Sequence, residues 1–177
     1  MTTLGDRLIA PGASRGEQLV CYLTATIGSL VAVTLAVRAD LSALAIVVIA
    51  VVAFDLCGGA VVNATASAKR HFHREGRTAR HHLLFVAIHL QPFLLALVVS
   101  EFPWYSAGAV YALALAGAVV VVSSPRFLQR PIAFAWVTLA LLVPLDVPAA
   151  LAWMPPILFI KLLLAHLQPD EAHRASG

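Results

Sequence analysis

Residues 41–66 read LSALAIVVIAVVAFDLCGGAVVNATA, an apolar run interrupted only by Asp55 and Asn63. About 20 apolar residues in a helix cross the hydrocarbon core of a bilayer. A soluble helix of this length would show a polar face, and this one shows almost none. Four further stretches read the same way, over 18–37, 83–100, 104–122 and 149–167, with a fifth at 126–143. The whole chain agrees. Of its 177 residues 60% are apolar and 12% charged, against about 45–50% and about 25% in soluble domains. The expected fold is therefore all-α, a polytopic integral membrane bundle of about six transmembrane helices. The length leaves room for one domain, 18–167, with short flanking segments 1–17 and 168–177.

The split within 126–167 rests on Pro144-Leu145-Asp146-Val147-Pro148, a charge between two helix breakers. Pro155 and Pro156 are expected to kink or locally unwind the last span. The rival is five spans, with the chain from Pro155 onward lying in the interface. Charge favours six. With the N-terminus inside, the inner segments hold Arg7, Arg15, Lys69, Arg70, Arg74, Arg77, Arg80, Arg126, Arg130, Lys161 and Arg174, and the outer ones only Arg38. That asymmetry predicts both termini in the cytoplasm. Lys161 is expected to snorkel to the cytoplasmic surface. Asp40, Glu101, Asp146, Trp104, Tyr105 and Trp153 fall towards the outer ends. The basic net charge, +3, is thereby explained by topology and not by nucleic acid. Residues 1–18 lack the short apolar run and small-residue site of a cleavable signal, so the first span is expected to stay as an anchor in the plasma (inner) membrane.

Chemistry-bearing residues are few. Cys21 and Cys57 lie in apolar segments and read as packed side chains. Asp55 falls near mid-membrane, where a carboxylate is costly unless it is paired, protonated or turned inward. On an uninterrupted helix Asp55, Gly59, Asn63, Ala66, Arg70 and His73 share one small or polar stripe. A binding groove and glycine-mediated helix packing both account for such a stripe. Five of the seven histidines lie between His71 and His89, and His82 and His89 would share a face of the third span. In a hairpin of the second and third spans, Asn63 and His89 come within about 6 Å of each other and Asp55 within about 10 Å of both. Asp55, Asn63 and His89 are thus the expected catalytic unit. His73, His82 and His89 are candidate ligands for a divalent metal, although no His-Glu-x-x-His pattern supports one. A buried neutral histidine, or an interfacial segment, explains the same residues without a metal.

Arg70, Arg74, Arg77 and Arg80 form a basic loop that suits anionic lipid headgroups. Topology alone also explains it. The tetrapeptide His-Leu-Gln-Pro occurs at 89–92 and 166–169, and four residues fit chance repetition better than an inverted repeat. The expected function is a membrane enzyme acting on a lipid-like substrate at a cytoplasm-facing polar pocket. A small proton-coupled carrier using Asp55 and a non-catalytic membrane subunit are the alternatives.

Overall fold

A computed structural model describes residues 10–74 and 76–169. Every regular element among them is helical. Helix α1 (Arg15–Arg38) starts at a capping box. The Ser14 hydroxyl accepts from the Glu17 amide at 3.2 Å, and the Ser14 amide donates to the Glu17 carboxylate at 2.8 Å. Helix α2 (Ala43–Ala64) is capped by Ser42, whose hydroxyl accepts from the Ala45 amide. It ends at Thr65, which is extended (φ −68°, ψ 149°). The Thr65 hydroxyl donates to the Val62 carbonyl at 2.7 Å and accepts from the Ala68 amide, so the same residue starts α3 (Ala66–Phe72). The stripe expected from Asp55 to His73 therefore does not exist as one face. A threonine that competes for backbone hydrogen bonds breaks the helix, and Arg70 and His73 point along a new axis.

The third span is also discontinuous. Helix α4 (Ala79–Ala87) and helix α5 (Gln91–Val98) are separated by three residues. Pro92 sits in the first turn of α5, where its missing N–H goes unneeded. Helix α6 (Trp104–Ser123) turns at Ser124-Pro125 into α7 (Arg126–Ala140), and the Trp136 indole N–H donates to the Leu113 carbonyl to pin the pair. Helix α7 has 15 residues, about 22 Å at 1.5 Å per residue. Among the described residues, five segments are long and apolar enough to cross a membrane: Arg15–Arg38, Ala43–Ala64, Ala79–Val98, Trp104–Ser123 and Ala149–His166. The chain is a multi-pass membrane protein, with the shorter α7 packed beside α6 and the last segment.

That last segment decides the core. It runs from a 3₁₀ turn (Ala149–Leu151) through α8 (Met154–Phe159) into a π-helical stretch, Ile160–His166. Of the five it is the most buried. Leu151, Met154, Leu158, Phe159, Leu162 and Leu163 are all inaccessible and touch the apolar faces of the surrounding helices. It is the axis of the bundle and not an interfacial strap. Pro155 and Pro156 open α8 instead of kinking it, because the first turn tolerates their missing N–H groups. The distortion comes later, as the π-helical stretch.

Contacts at the two ends fix the alternation of the helices. At one end the Glu17 carboxylate accepts from the Ser67 amide and hydroxyl, and Lys69 donates to the Ala165 carbonyl at 2.7 Å and to the Gln168 carbonyl. A lysine on the last carbonyls of a helix satisfies acceptors that have no partner within it. At the other end the Tyr105 hydroxyl donates to the Asp146 carboxylate. Arg7, Arg174 and the terminal segments expected in the cytoplasm lie outside the described residues, apart from 10–17 and 168–169.

Candidate functional site

The site is built around a charge pair. Asp55 lies on α2 beside an outward stripe of exposed Leu44, Val47, Val51 and Phe54. Its carboxylate does not turn into the bundle as expected. The side chain is 50% exposed, and it accepts from Lys161 Nζ at 2.7 Å. The Lys161 side chain is only 4% exposed. Its amine also donates to the Asp55 carbonyl at 3.3 Å. Lys161 thus does not snorkel to the surface. It lies at the start of the π-helical stretch and crosses to α2, because a charge inside the bundle is far better off beside a carboxylate.

Local structure makes room for this. Gly59, one turn after Asp55, has no side chain, and a Cβ there would sit 2.5 Å from Lys161 Cε. A side chain here would have to displace the end of the lysine, and no unusual backbone conformation is involved. Asn63, a further turn along, donates from Nδ2 to the Lys161 carbonyl at 3.3 Å and is buried. A π-turn displaces carbonyls from the ordinary helical ladder and is frequently found at functional sites. Gln91 comes from the opposite side. Its Nε2 donates to Asp55 Oδ2 at 2.9 Å, while its Oε1 is buried with no hydrogen-bond partner. Asp55 therefore receives two donors, one charged, from elements more than thirty residues away in sequence.

His89 is adjacent but separate. It occupies the break between α4 and α5, and its Nδ1 donates to the Phe85 carbonyl at 2.6 Å. A direct bond between Asn63 and His89 does not form, because each side chain is engaged by a backbone carbonyl. Of the expected unit, Asp55 and Asn63 both bond Lys161, Gln91 joins at Asp55, and His89 bonds the Phe85 carbonyl. The two added residues were legible as polar groups inside apolar spans, and only their meeting was not.

Two of the three metal candidates meet, ring on ring. His73 and His82 stack face to face, with centroids 4.7 Å apart and rings 24° from parallel. His82 Nδ1 lies 3.2 Å from Nε2 of the buried His166, and His73 Nε2 donates to the His166 carbonyl. The Phe85 ring lies between His166, at 3.8 Å, and His89, at 4.7 Å. Stacked rings present faces, whereas metals need in-plane lone pairs from several ligands at once. Among the described residues no group of three or more His, Cys, Asp or Glu is arranged to hold a metal ion.

The basic loop is divided in the same way. Arg74 folds back and donates to the His71 carbonyl at 2.8 Å. Burial, reinforced by Arg74 and Arg77, pushes the His71 imidazole below its usual range. Arg70 and Arg80 are exposed on separate elements. Arg77 lines a cavity of about 660 Å³, together with Arg126 from the start of α7. No protein-family model, curated protein or solved structure matches the chain.

Proposed function

We propose that the chain is a membrane-embedded enzyme whose substrate is amphiphilic and lipid-like, and that the substrate meets Asp55 from the hydrocarbon side. One observation carries this reading: a half-exposed carboxylate on an outward apolar stripe, held from behind by a buried lysine. A structural ion pair would be expected to hide both groups. Here only the cation is hidden, so the carboxylate is presented. Asp55 would take or return the proton of a substrate hydroxyl or amine. Lys161 holds it in place, and Gln91 orients it. Asn63 holds the Lys161 turn, a positioning role, and no metal is required.

In this reading the end that carries Lys69, Arg74, Arg77 and Arg126 faces the cytoplasm of a plasma (inner) membrane, as the basic asymmetry demands. Its arginines attract anionic headgroups.

The experiment is mass spectrometry of amphiphiles retained by purified protein, comparing the wild type with D55N. The wild type is expected to retain, and on incubation convert, a species that D55N neither converts nor holds as well. Identical retained species in both proteins, with no conversion by either, would remove the enzyme reading. A second reading has its own support. The break at 88–90 and the π-turn lie on either side of the ion pair, and discontinuous helices mark the midplane sites of carriers. Proton flux into proteoliposomes that is lost in D55N, without chemical conversion, would favour it.

A further inference from the structure

We infer that the cavity at the basic end of the bundle is a binding site for a phosphate group, separate from the Asp55 site. Six polar residues from two stretches of the chain line it: His73, Arg77, Thr78, His82, Arg126 and Gln129. The volume, about 660 Å³, accepts a phosphate ester with part of its substituent. Its two guanidinium groups come from separate elements, one from the loop before α4 and one from the first residue of α7. Arginine pairs with phosphate oxygens through two parallel N–H donors.

Two helices begin at the cavity. Thr78 and Ala79 open the 9-residue α4, and Arg126 and Phe127 open the 15-residue α7. Neither first turn carries an acidic residue. The amides of both first turns add partial positive charge. No carboxylate is among the described residues that line the cavity. The histidine arrangement also fits. His82 Nδ1 lies 3.2 Å from His166 Nε2, which fixes the His82 ring in the cavity wall. The cavity differs from the basic loop expected from sequence. Arg70, Arg74 and Arg80 do not line it, and Arg126, about fifty residues further along the chain, does. The phosphate site stands on the cavity alone and survives if the Asp55 reading fails.

The phosphate can come from a lipid headgroup or from a soluble ester, and two probes separate the sources. Purified wild type, R77Q/R126Q and the control R70Q/R80Q are titrated with inorganic phosphate by calorimetry. The same proteins are tested for retention of phosphatidic acid from mixed micelles. Loss of two charge-assisted contacts is expected to weaken binding at least about tenfold in R77Q/R126Q and less than about twofold in the control. An effect on both probes identifies a soluble phosphate ester as a sufficient ligand. An effect on phosphatidic acid alone identifies the headgroup. R77K/R126K keeps the charge and should recover part of the affinity, which separates binding from folding. Equal losses in R77Q/R126Q and R70Q/R80Q would overturn the site and leave only diffuse attraction. Asp170 and Glu171 lie outside the described residues. Phosphate binding that appears only after D170N/E171Q would also overturn it, because the tail would then be the occupant.

Discussion

Lys161 and Asp55 are unequal partners, and that inequality predicts different costs. Removing one member of a buried ion pair costs about 3–5 kcal/mol, chiefly because the other is left buried and charged. D55N leaves the buried lysine without an anion, with the residue-55 backbone carbonyl, at 3.3 Å, and the asparagine side-chain oxygen as its acceptors. Since Asp55 is half exposed, the expected loss is near the lower end, about 3 kcal/mol. K161M leaves a carboxylate that is half exposed and not buried, so it should cost less. The double variant D55N/K161M should recover most of the loss, since two neutral side chains need no mutual contact. Denaturant unfolding in micelles measures all three, and strictly additive losses would show that the pair is not coupled. The sequence marks Asp55 as costly where it stands. It does not say that the compensating charge comes from the last span, because a lysine near a helix end has the cheaper option of reaching water.

At the scale of elements, α1 and α2 pack through their small residues. A Cβ on Gly58 would come within 2.8 Å of Ala25 Cβ, with the Ala25 backbone just behind at 3.7 Å. The obstacle is a helix and not a flexible side chain, so G58A must part the two helices. It should destabilise the protein by about 1–3 kcal/mol, the usual cost of overpacking. Gly108 on α6 is the contrast, since a methyl added there would meet nothing within 4 Å. G108A should be neutral or stabilising by up to about 1 kcal/mol, the helix-propensity difference. Thermal unfolding of both variants in one detergent tests the pair. Equal behaviour would mean that α1 and α2 approach each other less closely than the Gly58–Ala25 contact requires. The expected starts at 104 and 126 coincide with those of α6 and α7, whereas α1 begins at Arg15, before the expected 18. The breaks at Thr65 and at 88–90 were not legible. An apolar run carries no sign that a threonine or a histidine will take its backbone hydrogen bonds.

For the whole molecule the remaining question is orientation. Replacing Cys21 and Cys57 by alanine leaves a background for single cysteines at Ser123 and Ala39, which lie at opposite ends of the bundle. S123C should be shielded from an impermeant thiol reagent in intact cells, and A39C should react. The reverse pattern would invert the molecule and place the phosphate cavity outside. By itself the sequence determined the helical class and the multi-pass membrane character, because lipid leaves the backbone almost no alternative to helix. It also singled out Asp55 as an expensive residue. Only the tertiary structure decided that the proline-rich last segment is the core of the bundle. It alone brought Lys161 and Gln91 to Asp55, and Arg126 to Arg77. Hydropathy reports how a segment partitions between water and lipid, and that is a local property. Which polar groups meet depends on helix order, rotation and depth. Those are set by packing among faces that all look equally apolar in sequence.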